Sequence, residues 1–274
     1  MASFLKIIEY DKDPRLKILK MGKTLFGKLL YPCYAFFFGG ILIDTGPVVA
    51  QDKFIKFLET HPLKAVLLTH ADEDHIGNLR YIQDHYDAPT YAHPEAKEWV
   101  EDISKLELLR YQKWVWGIPK PCTSQPIALD TPVQIADKTV IALSTPGHRD
   151  HHVSFYFPEQ KWVFTGDIYC GTFVQMFFKY ENFSQILNSN KKINELPFET
   201  LFCGFKGVVP QAKEKLTKKI ENMEIMKAKV LEMYEKGISI DKITQKILGK
   251  EKIIASITQK DLTKKNLVEK IIET

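Results

Sequence analysis

The sequence has little of what marks secreted, membrane-spanning or nucleic-acid-binding proteins. Its four cysteines, Cys33, Cys122, Cys170 and Cys203, are widely scattered and form no C-x-x-C pair. That argues against a disulfide scaffold and a thiolate zinc knuckle, and small buried hydrophobes is the reading that suits most of them. No apolar run approaches the ~20 residues a spanning helix needs. The N-terminal stretch MASFLKIIEYDKDPRLK lacks the order of a signal peptide, so a cytoplasmic protein with no membrane attachment is expected. No repeat, low-complexity tract or Gly/Ser linker interrupts the chain.

Arginine is absent from residues 211–274, which hold 15 lysines against 10 acids, while residues 1–210 hold 23 basic side chains against 24 acids. A basic tail could touch nucleic acid, but here lysines and acids alternate at helical spacing and no guanidinium is present for bidentate phosphate contacts. A solvated helical face is the expectation, and a nucleic-acid partner is not expected. The 274 residues, 45% hydrophobic and 26% charged, suit an ordinary globular chain with a sizeable core.

Hydrophobic patterning predicts mixed strands and helices. FLKIIEY, RLKILKM and CYAFFFGGILIDTG read as strands, with Gly39-Gly40 as a hairpin turn. FIKFLETH predicts a short helix, AVLLT a buried strand, IGNLRYIQDHY a helix and APTYAH a short strand. Residues 94–116 read as one helix opened by Pro94. PVQIADKTVIALSTPGH predicts two strands, HVSFYFPEQKWVFTGD a hairpin, FSQILNSNKKINEL a helix and TLFCG a last strand. After Gln211 only helices are predicted, the first ending before Gly237, with Ser239 or Asp241 capping the second and Asp261 capping the last.

The chemistry is concentrated in four places: LIDTG with Asp44, THADEDH with His70, Asp72, Asp74 and His75, STPGHRDHH with His148, and FTGD with Asp167. Each sets a metal-capable side chain where an apolar run hands over to a loop. Neither strand alternation nor an ordinary helix converges all of H-x-D-x-D-H, so a tight loop gathered around one or two cations is predicted. Unpaired, those carboxylates repel one another and resist desolvation; a dication removes both objections. A purely structural polar network is the competing reading.

In order and spacing, these pieces over residues 1 to about 210 resemble the metallo-β-lactamase-fold hydrolases. That family's signature is H-x-H-x-D-H after a strand, then a Gly-His, an Asp following Thr-Gly, and a final Gly-His. The resemblance implies an αββα sandwich over 1–210, with 211–274 as a C-terminal helical extension packed on it. It implies that His70, Asp72 and His148 hold a first metal, that Asp74 and His75 hold a second, and that Asp167 bridges both. Asp44 would support a ligand imidazole from behind, and His152 matches a histidine more often structural than ligating. Asp74 would be the catalytic residue, orienting the nucleophile and taking its proton. One or two divalent ions are expected, zinc first, with iron or manganese as alternatives.

Two departures stand out. Asp72 occupies the place of the signature's second histidine, adding a negative charge and a harder donor that tilts preference toward iron or manganese. The last Gly-His reads CGFKG, with Phe205 at the histidine position, so the second metal loses a ligand, and Lys206 beside it would repel a cation. Three functions follow: a hydrolase of a small ester, thioester, lactone or phosphoester; a mononuclear iron oxidoreductase like the persulfide dioxygenases, built on His70, His148 and Asp167; or a non-catalytic metal- or ligand-binding protein on a degraded scaffold. Self-association as a homodimer stays open. His61, His85 and His93 are expected to face solvent, and His151 to be a bystander. Cys170 and Cys203 are near the site in sequence, but inert burial is the reading. TFVQMFFKY and LFGKLLYPCY are candidates to line an apolar cleft or to pack in the core.

Overall fold

A computed structural model describes residues 2–274. The first half runs β1 (Ala2–Tyr10), β2 (Asp13–Leu25), β3 (Lys28–Phe38), β4 (Ile41–Ile43), α1 (Gln51–Leu58), β5 (Ala65–Leu67), α2 (Glu73–Ile76), α3 (Leu79–His85), β6 (Thr90–Ala92), α4 (Lys97–Glu101), α5 (Arg110–Val115) and β7 (Gln125–Pro126). These seven strands form one sheet in chain order, antiparallel from β1 to β4 and parallel from β4 to β7. The second half contributes β8 (Pro132–Ile135), β9 (Lys138–Ser144), β10 (Val153–Phe157), β11 (Trp162–Phe164), β12 (Phe177–Phe178), α6 (Phe183–Glu195), β13 (Thr200–Cys203), β14 (Gly207–Val209), α7 (Ala212–Glu235), α8 (Ile240–Leu248), α9 (Ile253–Ile257), β15 (Leu262–Thr263) and α10 (Lys264–Ile272). Its six-stranded sheet is ordered β14-β13-β11-β10-β9-β8.

Period-two alternation explains how the layers assemble. Along β3, Phe36 and Phe38 enter the core between the sheets, whereas Cys33, Ala35 and Phe37 pack under α1, α3 and α4. Along β11 and β13, Trp162, Phe164 and Phe202 face inward, and Val163, Leu201 and Cys203 face α6, α7, α8 and α10. Two sheets back to back with helices outside make the expected αββα sandwich. The inter-sheet core is aromatic: Phe164 stacks on Phe202 at 4.6 Å, and Phe38 meets Trp162 edge-on at 4.9 Å. Each such ring, fully buried, contributes roughly 1.5–3 kcal/mol.

Cys203 is buried as expected, but Cys170 is exposed, because it sits in the irregular stretch after β11 rather than in a strand. Three expectations of local structure also need correction. Residues 94–116 are not one helix: 3-10 turns at Pro94–Ala96 and Ile103–Leu106 flank α4, and α5 follows. The break has local causes, since the Asp102 carboxylate accepts the Ser104 N–H and Glu107 turns left-handed at φ 48°. The C-terminal segment is not purely helical, because Leu262–Thr263 pairs with Phe177–Phe178 as β15 and β12. Asp261 is not the cap of the last helix; the Thr263 hydroxyl accepts the Asn266 N–H instead.

Candidate metal centre

Strand ends bring the acid–histidine cluster together. Asp44 follows β4, His70 follows β5, His148 lies in the β9–β10 connection, and Asp167 follows β11. The approach is close enough to demand glycine twice. A Cβ at Gly166, which sits at φ 45°, would fall 2.5 Å from His152 Nε2, and one at Gly204 would fall 2.6 Å from Asp167 Oδ1. The H-x-D-x-D-H segment, predicted as a tight loop, is partly helical. Extended backbone at Asp72 (φ −72°, ψ 153°) opens the single turn of α2, which carries Asp74 and His75. One turn reverses direction quickly enough to return His75 toward His70, ring centroids 4.0 Å apart.

Five of the six expected ligands converge in two groups, and the sixth, Asp74, stands beside His75. His70, Asp72 and His148 form one group, and His70, His75 and Asp167 another, with each group's donor atoms within 4.8 Å of one another. Asp72 Oδ2 lies 3.6 Å from His70 Nε2 and 3.3 Å from His148 Nε2. The two Asp167 oxygens face opposite sides, Oδ1 3.7 Å from His75 Nε2 and Oδ2 4.0 Å from His148 Nε2. Asp74 Oδ2 is 3.8 Å from His75 Nε2. His70 Nε2, His75 Nε2 and Asp167 Oδ1 are buried with no hydrogen-bond partner. Unsatisfied polar atoms are costly in an interior, and these three are aimed at one another. Imidazole and carboxylate donors of this kind fit a divalent transition metal.

A second layer of groups sets the tautomers. His75 Nδ1 donates to Asp44 Oδ2 at 2.8 Å, and Asp44 also accepts the Thr69 N–H and hydroxyl, both at 2.8 Å. His70 Nδ1 reaches the Thr69 hydroxyl oxygen at 3.0 Å, and His148 Nδ1 donates to Glu181 Oε1 at 2.7 Å. In all three rings Nδ1 is engaged, so the Nε2 lone pair is turned into the centre. His152 turns its Nε2 to the Asp167 N–H at 3.3 Å and its Nδ1 to Thr145, which positions Asp167 rather than offering a donor.

Glu181 and Arg149 escaped the sequence reading. Glu181 stands 33 residues from the histidine it orients, in a stretch without a motif. Arg149 was visible in GHRDHH, but nothing in the pattern announced that its Nε would donate to Asp72 Oδ1 at 2.6 Å.

The electrostatics call for positive charge. Burial, then the neighbouring Asp74 and Asp72, pushes the Glu73 carboxyl up to about 8. Burial, with Asp167 and Asp72, raises Asp74 to about 6 despite the opposing pull of His75. Burial opposes protonation of His148, but hydrogen bonds to Asp72 and Glu181 outweigh it and lift the ring to about 10. Asp44, Asp72, Glu73, Asp74, Asp167 and Glu181 thus crowd one interior region, where protons or a cation must offset their charge.

The sequence profile of the Metallo-beta-lactamase superfamily matches residues 31–204, which hold every side chain of this centre. The chain belongs to that superfamily. A hydroxyacylglutathione hydrolase of Bartonella quintana is 29% identical over 181 residues, 61% of this chain and 62% of that protein. A probable metallo-hydrolase of Bacillus subtilis is 35% identical over 121 residues, 43% of this chain and 54% of that protein. The chain therefore spans less than two thirds of the length of these relatives. A beta-lactamase domain protein from Burkholderia ambifaria shares the fold with a TM-score of 0.64 at 12% identity, covering 99% of this chain and 85% of that one. A metallo-beta-lactamase from Pontibacter korlensis shares it with a TM-score of 0.61 at 16% identity, covering 81% of this chain and 99% of that one.

As a member of the metallo-beta-lactamase superfamily, the chain carries its centre at the floor of a cavity of about 640 Å³. Asp72, Asp74, His148 and Asp167 line it; Phe173, Phe177, Phe178 and Tyr180 supply an aromatic wall, and Tyr31 and Trp116 line it as well. Both aromatic stretches singled out in the sequence thus reach the cavity, although Phe177 is also core. Phe205 lies in the wall half-buried, and Lys206 is exposed at the rim with its ammonium 5.5 Å from the Phe205 ring. Among the other histidines only His85 is exposed. His61 stacks on Phe57, His93 is buried and accepts the Glu95 N–H, and His151 is buried with Nε2 accepting the Ala71 N–H. The expectation of solvent exposure therefore fails for His61 and His93, because each ring finds a local backbone partner, and His151 braces the loop that carries Asp72. Among the described residues, no helix is long and apolar enough to cross a membrane.

Proposed function

We propose that this chain is a metal-dependent hydrolase acting on a thioester. The observation that carries the reading is the set of partnerless, buried donors, His70 Nε2, His75 Nε2 and Asp167 Oδ1, converging beside a cavity that Asp167 itself lines. The curated relatives named for hydroxyacylglutathione, a thioester, support the substrate class. His70, Asp72 and His148 would hold one divalent cation, and Asp74 with His75 a second, with Asp167 shared between them. A cation bound there supplies Lewis acidity toward the scissile carbonyl and lowers the pKa of water.

The chain's own residues do the rest. Asp44, Thr69 and Glu181 hold the three ligand rings in the tautomer that faces inward. Asp74 orients the attacking water and takes its proton at the carboxylate. The aromatic wall holds the apolar part of the substrate and excludes bulk water. Zinc is the first candidate metal, with iron or manganese favoured by the oxygen donor of Asp72. A mononuclear iron site on His70, His148 and Asp167 would leave the buried His75 Nε2 without a partner, which disfavours it.

Chelator-stripped protein, reconstituted with zinc, iron or manganese and offered thioester, ester, lactone and phosphodiester panels, tests this. Metal-restored thioester cleavage is expected, and silence toward every substrate with every metal would sink the proposal.

A further inference from the structure

An aspartate where the superfamily signature has a histidine brings a charge into the centre, and the structure places a compensating cation against it. Arg149 Nε donates to Asp72 Oδ1 at 2.6 Å, and the arginine side chain is only 10% exposed. Its guanidinium lies 3.6 Å from the Tyr180 ring centroid and 5.7 Å from that of Trp99, so aromatic faces hold it in place. The consequence for Asp72 is geometric as well as electrostatic. With Oδ1 committed to Arg149, only Oδ2 is left facing His70 Nε2 at 3.6 Å and His148 Nε2 at 3.3 Å.

We propose that Arg149 is a positioning residue that lets Asp72 act as a substitute for a neutral histidine. Resting on the metal centre argued above, this assigns Arg149 two tasks. It limits Asp72 to one donor oxygen, the number an imidazole offers, and it cancels the carboxylate's charge so that a bound cation stays electrophilic. Tyr180 and Trp99 fix the guanidinium plane, and Asp74 and Asp167 are left as the acidic groups facing the cation. A guanidinium suits the task because it stays charged when buried and is weakly hydrated.

The test reads metal affinity rather than turnover. Chelator-stripped wild type and Arg149→Gln are titrated with zinc against a chromophoric chelator, with circular dichroism reporting the fold. Arg149→Gln should tighten zinc about tenfold or more, because a repelling cation is removed and the full carboxylate charge then faces the ion. Arg149→Lys keeps the charge and should stay within about threefold of wild type. Asp72→Asn, which removes the carboxylate charge and leaves the guanidinium, should weaken zinc by about tenfold or more and serves should the glutamine variant not fold. An ion pair with a merely structural role would lower the melting temperature and leave zinc affinity of the folded protein unchanged. That result, or weaker zinc in Arg149→Gln, overturns the role of Arg149 alone. A wild type that takes up no zinc overturns this proposal, and one that takes up neither zinc, iron nor manganese overturns the proposed function with it.

Discussion

Asp44, His70 and Asp167 leave strands held inside two large sheets, whereas Phe178, Tyr180 and Leu262 stand on or beside a pair, β12 with β15, only two residues long. Both regions border one cavity. The first is anchored by a continuous aromatic core and by backbone bonds such as Asp44 N–H to Leu67 O at 2.9 Å. The second depends on a few side chains: Asn266 Nδ2 donates to Phe177 O at 3.1 Å and to Asp261 O at 2.6 Å, and Lys252 Nζ reaches Gln175 Oε1 at 2.6 Å. Groups that must keep sub-ångström relations sit on the stiff scaffold, while the wall that meets a substrate is built from elements with less local support. Glu181 joins the two regions. It follows β12, accepts the Phe178 N–H at 2.8 Å, and holds His148.

The comparison can be broken most directly at His70, which belongs to both donor groups. His70→Ala removes a donor common to both groups, and thioester turnover should fall on the order of a thousandfold with metal content reduced, as elemental analysis and steady-state kinetics would show. A variant that keeps its metal and its rate would remove the rigid wall's claim to the chemistry. Asp44→Asn tests the support behind that wall: zinc affinity should drop by about 10- to 100-fold as the His75 tautomer is released, read by chelator competition.

Glu181→Gln asks whether the second wall is truly coupled to the centre. A loss of zinc affinity of about tenfold is expected, together with a higher KM, because the same side chain also pins Phe178. A change in affinity with KM untouched would uncouple the walls. The smallest effect is expected for Asn266→Ala, which leaves the Phe177 and Asp261 carbonyls without their side-chain donor. About 1–3 kcal/mol of local stability should be lost, seen as faster amide exchange around Phe177–Phe178, with KM raised and metal affinity unchanged.

Much of the rigid half was legible before any coordinates. The apolar runs AVLLT and HVSFYF, the Gly39-Gly40 turn and the acid–histidine cluster at strand ends are local patterns, and local patterns survive folding. The breaks within residues 94–116 were not legible, because the Leu-rich composition satisfies a helical period while Asp102 and Glu107 redirect the backbone locally. The β12–β15 pair was invisible for another reason. Two-residue strands joined across about 85 positions have no periodicity to read, and Phe177 shares its core with Leu267 and Ile271 of α10, a contact no local pattern announces.

By itself the sequence determined the alternating strands, the family pattern and the cluster of metal-capable side chains, since these depend on residue type and short spacing. Tertiary structure alone decided which acid stands behind which imidazole. Glu181 serves His148, Arg149 takes one oxygen of Asp72, and His152 turns its free nitrogen to the backbone of Asp167. Those assignments rest on distances of a few ångströms between segments far apart in the chain, and only the packing of the two sheets sets them.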